Sequence, residues 1–168
     1  VRINLVIACD SKEPTFRHAL FPKYKANRVE MPEDLARQMP HFLRLLEAYG
    51  CPVLRRPGME ADDLIGSLTR RFAGPDLHVM IVSGDKDFMQ LVDDRTFLYT
   101  PKKGDEATIV GKDGVFEKFG CTPQQVIDCL AIIGDTSDNV PGVHGIGDKG
   151  AAKLIAEFGS LDNIYANL

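Results

Sequence analysis

The sequence predicts an α/β domain, with a mostly parallel central sheet flanked by helices, followed by a smaller helical subdomain. One observation is the nearly continuous apolar run Val79-Met80-Ile81-Val82, which is typical of a parallel strand buried on both faces. Another is the alternation of strand-length apolar runs with helical patterns, which indicates a parallel sheet. After about residue 112 only helical patterns occur. We therefore expect an α/β core over residues 1–111 and a helical subdomain over 112–168.

Each element is predicted from its own stretch of sequence. Short apolar runs predict strands, and apolar residues that recur every three or four positions predict helices. Pro32 precedes two acidic residues that favour a helix start, Gly50 ends that helix, and Thr122-Pro123-Gln124-Gln125 is a capping box. The expected strands are 1–9 (apolar over 3–9), 53–54, 78–82 and 96–99, and the expected helices are 31–49, 60–72, 112–119, 122–133, 148–158 and 161–167.

The composition limits the classes of function. The chain has 168 residues with 20 basic and 24 acidic side chains, a net charge of −4. Taken alone, this charge argues against a simple electrostatic nucleic-acid binder. No apolar run approaches the roughly 20 residues of a membrane span, and the start of the chain lacks the features of a signal peptide. We expect a cytoplasmic protein with no membrane partner. Its four cysteines lack zinc-binding spacing.

Acidic residues cluster at four places in the sequence. Two clusters directly follow predicted strands, where open α/β sheets bind their ligands. Any one cluster has a structural alternative, because acids also favour helix starts and turns. Together they predict an all-oxygen site for Mg²⁺ or Mn²⁺, and two such ions suit phosphodiester hydrolysis. The clusters are Asp10; Glu60, Asp62 and Asp63; Asp85 and Asp87; and Asp135 and Asp138.

A glycine-rich segment, Gly145-Ile146-Gly147-Asp148-Lys149-Gly150, matches a dinucleotide-binding pattern literally. That pattern requires a preceding strand, whereas a Pro141-Gly142 turn stands there. We instead predict a helix-hairpin-helix over about 134–158. Gly145 and Gly147 would let the helix N-terminus approach a DNA phosphate, and Lys149 and Lys153 would add positive charge on one face. An ordinary helix start with solvated lysines is the alternative.

Basic and aromatic residues alternate over residues 16–28. Arg17, Lys25 and Arg28 are among the basic residues, and Phe16 and Tyr24 are among the aromatic ones. This mixture suits a nucleic-acid strand, because cations contact phosphates and rings stack on bases. A solvated surface loop is the alternative. The position of the segment shortly after Asp10 favours the nucleic-acid interpretation.

Five ordered motifs across the whole chain resemble the bacterial 5′-nuclease family. This family comprises the 5′→3′ exonuclease domain of DNA polymerase I and the related stand-alone flap endonucleases. The motifs are Asp10-Ser11-Lys12 with Phe16-Arg17-His18; Tyr24-Lys25-Ala26 with Arg28; Glu60-Ala61-Asp62-Asp63; Gly84-Asp85-Lys86-Asp87; and Gly134-Asp135, Ser137-Asp138-Asn139 and Pro141-Gly142.

The resemblance implies a PIN-like nuclease core, an arch or clamp at about 15–30, and Mg²⁺-dependent DNA cleavage, with Mn²⁺ able to substitute. Arg17 and Lys25 would contact the scissile phosphate and stabilise its developing charge, and Arg28 would contact the DNA. A K⁺ ion would bind hairpin carbonyls around Val143–Ile146. By motif position, Asp10, Glu60, Asp62 and Asp63 would serve one metal region, and Asp85, Asp87, Asp135 and Asp138 the other.

The resemblance also implies partners. The substrate would be DNA with a 5′ flap, nick or 5′ end, including an RNA primer, during replication and repair at the nucleoid. The protein would be a monomer with a covalent polymerase domain C-terminal to this chain. The family's first strand, with another metal-binding aspartate, precedes the segment seen here, so we expect a truncated chain with reduced activity of its own. The alternatives are an impaired, structure-specific DNA-binding module and a stand-alone flap endonuclease.

The net charge has a different meaning once the motif acids are set apart. Taking these eight acids from the 24 leaves 16 against 20 basic residues, a net charge of +4 for the rest. Bound metal ions would offset much of the remaining negative charge. The acidic composition therefore does not exclude DNA as a partner.

Overall fold

The computed structural model describes residues 3–102 and 106–168. These residues form two compact units. One comprises the chain up to Ile65 together with Ser137–Asn139, and the other comprises Gly66–Thr136 and Val140–Leu168. The predicted boundary near residue 111 separates an α/β part from a helical part, and it does not coincide with the division into these two compact units. It stays a prediction.

The first unit contains a short parallel strand pair. Strand β1 (Ile7–Ala8) pairs with β2 (Val53–Leu54), with Ile7 opposite Val53. The expected strand over 1–9 is therefore wrong in its extent, because β2 offers only two residues for pairing, and Ile3 and Leu5 are exposed. Residues 1–2 lie outside the described residues.

Helices are the longest elements of the first unit. Helix α1 (Phe16–Leu20) was not predicted, since five residues are too few for a periodic pattern. Helix α2 (Glu33–Ala48) begins after Pro32, with two acids in its first turn, and it continues through Pro40. Of its side chains, only Leu46 is buried. Helix α3 (Ala61–Phe72) starts in this unit and ends in the second.

The second unit contains a three-stranded sheet in the order β3-β4-β5. Strand β3 (Val79–Val82) runs parallel to β4 (Thr96–Pro101), and β5 (Ala107–Val110) runs antiparallel to β4. A 3₁₀ helix, Lys86–Leu91, lies between β3 and β4. Strand β5, which was not predicted, returns antiparallel to β4 after a short connection, so this sheet combines a parallel and an antiparallel pair.

Helices follow this sheet, as predicted. They are α4 (Lys112–Phe119), α5 (Val126–Ile133), α6 (Asp148–Phe158) and α7 (Leu161–Ala166). The expected helix over 122–133 begins instead as a 3₁₀ turn, Pro123–Gln125, in which Gln125 caps the Thr122 amide. Fully buried side chains from the sheet and these helices form the core: Leu98, Val115, Val126, Ile132 and Ile155.

A tight hairpin separates α5 from α6. Strands β6 (Gly134–Asp135) and β7 (Val140–Pro141) pair antiparallel, and the intervening Ser137–Asn139 are counted with the first unit. Gly134 and Gly142 allow the two backbones to touch. No helix within the described residues is long and apolar enough to cross a membrane.

Candidate functional site

The start of helix α3 gathers three of the predicted acids. The turn before it contains Gly58, whose φ of 76° suits glycine. Asp63 accepts a hydrogen bond from the Glu60 amide at 3.0 Å, and Asp10 accepts one from the Ala61 amide at 2.7 Å. Both acids therefore satisfy amides that the helix start leaves without helical partners. Glu60 itself is only 5% exposed.

Three basic side chains neutralise the carboxylates of the first unit. The Arg17 guanidinium donates two hydrogen bonds to Asp63, at 2.9 and 2.8 Å, and lies 3.6 Å from Glu60. The ammonium of Lys25 lies 2.8 Å from a Glu60 oxygen. Arg28 contacts Asp138 at 2.7 Å. Because a buried carboxylate is costly without an opposite charge, this pairing explains how Glu60 is tolerated. We call these six side chains the charged cluster: Glu60, Asp63, Asp138, Arg17, Lys25 and Arg28.

Tyr24 joins two of these acids. Its buried hydroxyl lies 2.9 Å from Glu60 and 2.9 Å from Asp138, which is 114 residues away from it in sequence. Burial, together with these hydrogen bonds, raises the pKa of Tyr24 above its usual value. The hydroxyl therefore keeps its proton, and its O–H donates a hydrogen bond to one carboxylate at a time.

Asp63 is held in its ionised form. The hydrogen bond from Arg17 lowers the pKa of Asp63 below its ordinary value, although burial acts in the opposite direction. The same contact raises the pKa of Arg17. This ion pair places the Asp63 carboxylate beside the Arg17 guanidinium. Carboxylates bind cations, and guanidinium groups bind phosphates.

The second unit contains a smaller acidic group. Asp85 caps the 3₁₀ helix, because its side chain accepts the Asp87 amide at 2.9 Å. The Lys86 ammonium lies 3.4 Å from the carboxylate of Asp135, which is in the β6–β7 hairpin. Asp135 therefore lies close to the segment 85–87. The predicted neighbours Asp85, Asp87 and Asp135 thus fall in one unit, whereas Asp138 lies with Glu60.

The donor chemistry of both groups suits a hard divalent cation, since all donors are carboxylate oxygens. Within residues 3–102 and 106–168, however, no three His, Cys, Asp or Glu side chains are arranged to hold a metal ion. In the first unit, Arg17, Lys25 and Arg28 are instead paired with Asp63, Glu60 and Asp138. Asp62, the remaining predicted ligand, is exposed on α3.

A thiol site is a poor alternative for a metal. The sulfur atoms of Cys121 and Cys129 lie 3.1 Å apart, and both residues are buried. Burial raises the pKa of the Cys129 thiol to about 12. Metal ions bind the thiolate form, which the raised pKa disfavours.

Residues 134–158 contain the β6–β7 hairpin and helix α6, and helix α5 precedes them. The assignment of this segment as a helix-hairpin-helix stays a prediction. After β7, the Ile146 amide donates to the Val143 carbonyl at 3.1 Å, and Gly145 has a φ of 82° in this turn. Gly147 precedes α6, whose Lys149 and Lys153 are exposed. The role of these residues in DNA binding stays a prediction.

The contacts of two residues near the charged cluster were not predicted from the sequence. Sequence reasoning assigned Tyr24 to base stacking, whereas the ring is buried and the hydroxyl contacts carboxylates. Asn139 was quoted in one of the five motifs, but no role was predicted for it. In the structure, its side-chain amide donates a hydrogen bond to the Lys23 carbonyl at 2.7 Å. The sequence signal for Asn139 was available, because asparagine is enriched in left-handed turns.

Family models match the entire length of the chain apart from its first residue. Residues 2–120 match the N-terminal resolvase-like domain of the 5′-3′ exonucleases, and residues 121–168 match the C-terminal SAM fold of the same family. The chain therefore belongs to the 5′-3′ exonuclease family.

Relatives and solved structures agree with this family. The chain is 41% identical to the thermostable DNA polymerase I of Thermus filiformis over 98% of its length and 19% of that protein. It is 45% identical to the DNA polymerase I of Pseudomonas aeruginosa, over 96% of the chain and 18% of that protein. The chain thus spans about a fifth of the length of these relatives.

Among solved structures, the chain is similar to the bacteriophage T5 D15 flap endonuclease, crystallised as a pseudo-enzyme-product complex with DNA and metal ions. The TM-score is 0.79 at 26% identity, over 98% of this chain and 64% of that one. This likeness and the family models confirm the predicted class of fold, an α/β core followed by a helical subdomain.

Proposed function

We propose that this chain is the nuclease part of a protein that hydrolyses phosphodiester bonds of DNA at 5′ ends, nicks and 5′ flaps. The observation that carries the proposal is the charged cluster, in which three carboxylates alternate with three basic groups. Carboxylates bind hard divalent cations, and guanidinium and ammonium groups bind phosphate. Membership of the 5′-3′ exonuclease family and the DNA and metal ions bound to the T5 relative support it.

The carboxylates would hold divalent ions, with Mg²⁺ expected and Mn²⁺ able to substitute. When bound, such ions supply an activated water and stabilise negative charge on the leaving oxygen. The proposed ligands in the first unit are Asp10, Glu60, Asp62, Asp63 and Asp138. Those in the second unit are Asp85, Asp87 and Asp135.

The chain's own cations would bind and orient the substrate. Arg17 and Lys25 would contact the scissile phosphate, and Arg28 would contact a neighbouring one, since each already lies beside an anionic oxygen. The hairpin would hold the duplex backbone through the open amides near Gly145 and Gly147 and through Lys149 and Lys153. Its carbonyls around Val143–Ile146 would accept K⁺.

DNA binding without cleavage is the second candidate function. Two observations favour it. Glu60, Asp63 and Asp138 are paired with basic side chains. No group of three acids among the described residues is arranged to hold a metal ion. A nuclease needs these pairs to open, whereas a binding module does not.

Metal dependence separates the two candidates. The full-length protein that contains this chain is incubated with a 5′-labelled flap duplex in Mg²⁺, Mn²⁺, Ca²⁺ or EDTA. We expect cleavage near the junction with Mg²⁺ and Mn²⁺, and none with EDTA. Binding of the flap duplex without cleavage under every metal condition would support the binding module instead.

The wider role rests on the same substrate. Because the relatives are DNA polymerases, we propose that the chain acts in replication and repair beside a covalent polymerase domain, and that it removes 5′ flaps or RNA primers. A monomer located at the nucleoid is the corresponding expectation. A stand-alone flap endonuclease is distinguished by the length of the reading frame that encodes the chain.

A further inference from the structure

Two non-glycine residues have left-handed backbone conformations in the described part of the chain. These are Lys25, with a φ of 55°, and Asn139, with a φ of 59°. Both are counted with the first unit. Asparagine tolerates this conformation, but a long side chain such as that of lysine rarely adopts it. A residue in a strained conformation persists only where its surroundings impose it.

Residues 138 and 139 impose the conformation of Lys25 from both sides. The Lys25 amide donates to the Asp138 carbonyl at 2.9 Å, and the Asn139 side-chain amide donates to the Lys23 carbonyl at 2.7 Å. The Tyr24 hydroxyl adds a contact with the Asp138 side chain at 2.9 Å. The backbone at both ends of the segment 23–25, and the side chain of its middle residue, are therefore held by residues more than 100 positions away in the sequence.

The consequence is the position of one ammonium group. The Lys25 side chain is 14% exposed and reaches Glu60 at 2.8 Å, within the charged cluster. A relaxed backbone at Lys25 would turn its Cα–Cβ bond in another direction, because φ and ψ set where a side chain starts. The left-handed backbone at Lys25 thus determines where its ammonium group lies.

We propose that Asn139 is a positioning residue for Lys25: its amide holds the Lys23 carbonyl and so maintains the left-handed turn that delivers the Lys25 ammonium to the substrate phosphate. This inference rests on the proposed function. Asparagine meets both requirements of the position, since it adopts a positive φ readily and offers an amide donor. Glycine meets only the first, and aspartate lacks the donor.

The test replaces Asn139 in the full-length protein. Asn139→Gly keeps the backbone conformation accessible and removes the amide. Since small misplacements of a positioned group slow chemistry strongly, we expect single-turnover cleavage of a 5′-flap duplex to slow by about tenfold or more. We expect flap affinity in Ca²⁺ to be unchanged and hydrogen exchange of the Lys25 amide to become faster. Should Asn139→Gly fail to fold, Asn139→Asp carries the same expectations.

A double-mutant cycle with Lys25→Ala shows whether the effect passes through Lys25. If Asn139 acts only by placing Lys25, Asn139→Gly causes no further slowing in the Lys25→Ala background. Independent, multiplying effects would overturn the inference while leaving the proposed function intact. Normal cleavage by Lys25→Ala would instead contradict the proposed role of Lys25 itself.

Asn163→Ala is the matched control. Asn163 donates the same kind of amide hydrogen bond, to the Phe158 carbonyl at 2.8 Å, but between α6 and α7. We expect its cleavage rate and the exchange of the Lys25 amide to equal those of the wild type. A similar slowing in Asn163→Ala would show that loss of any such bond is sufficient, and it would overturn the inference.

Discussion

Glu60 shows how the chain keeps a buried carboxylate at the centre of its candidate site. The residue is 5% exposed, and its two oxygens are contacted separately by Lys25 at 2.8 Å and by Tyr24 at 2.9 Å. Removing one partner of such a pair leaves an uncompensated buried charge, which is more costly than the net value of the pair. The cationic partner therefore stabilises the fold around Glu60.

Asp93 provides a pH test at a residue away from the charged cluster. Its oxygen accepts the amides of Arg95 and Thr96, each at 2.8 Å. Burial acts to raise the pKa of Asp93, but these hydrogen bonds, together with the nearby Lys112, outweigh it and lower the pKa below the ordinary value. The stabilisation from a lowered pKa is present above the unfolded value of about 3.9 and is lost as pH falls through the folded value.

Lowering the pH from about 5 to about 3 should therefore reduce the free energy of unfolding of the Asp93→Asn variant by less than that of the wild type. Asparagine still accepts the two amides but does not titrate. Urea unfolding of both proteins at the two pH values measures the difference. Equal losses in the two proteins would show that ionised Asp93 does not support the fold.

At the scale of elements, the hairpin β6–β7 depends on glycine. A Cβ atom at Gly142 would lie 2.1 Å from the Ile133 carbonyl oxygen and 2.7 Å from the Gly134 nitrogen. These neighbours are backbone atoms, so they have little freedom to move. Gly142→Ala should lower the free energy of unfolding by about 1–3 kcal/mol, as measured by thermal or urea unfolding.

Gly74→Ala is the control for that substitution. Its added Cβ would meet only the Phe72 carbonyl oxygen, at an ordinary 3.9 Å. Replacing an unstrained glycine reduces the entropy of the unfolded chain, so little change or a small gain in stability is expected. Equal destabilisation by both substitutions would contradict the packing argument at Gly142.

The elements that the sequence predicted well are those with a strong local signal. Helices α4 and α6 have the predicted bounds because glycine precedes each of them and ends each of them. Strand β5 was missed because four residues of mixed polarity carry no clear period. The antiparallel return of β5 could not be predicted from local sequence, because strand pairing depends on partners elsewhere in the chain.

The acids of the site were likewise easier to predict than their partners. Carboxylates after strands and at a helix start are visible in the sequence. In the structure, Asp10, Asp63 and Asp85 accept hydrogen bonds from backbone amides at the starts of helices. That Asp138 contacts Tyr24 and Arg28 depends on a fold that joins residues more than 100 positions apart. The left-handed conformation of Lys25 runs against its residue type, so no local pattern could reveal it.

For the whole molecule, the net charge of −4 conceals local positive charge. The exposed Lys149 and Lys153 follow the glycine hairpin on α6. If they bind phosphates, Lys149→Ala with Lys153→Ala should weaken DNA binding and reduce the slope of log affinity against log salt by about 1 for each contact. Fluorescence anisotropy over a salt series measures both quantities.

Lys118→Ala is the comparison, because Lys118 is an exposed lysine on α4, outside the hairpin. We expect its salt slope to match that of the wild type. The hairpin assignment would be wrong if the double substitution left the slope unchanged, or if Lys118→Ala reduced it equally.

Hydrolysis of DNA is proposed to depend on carboxylates of this chain, and the double substitution Asp85→Asn with Asp87→Asn tests this dependence. Asparagine keeps the cap at Asp85, so the fold should survive, and Asp94→Asn with Asp113→Asn removes the same charge elsewhere as a control. In the full-length protein with Mg²⁺, we predict that the first pair abolishes cleavage of a 5′-flap duplex while flap binding persists, and that the control pair cleaves normally. Cleavage at the wild-type rate without the Asp85 and Asp87 carboxylates would contradict the claim.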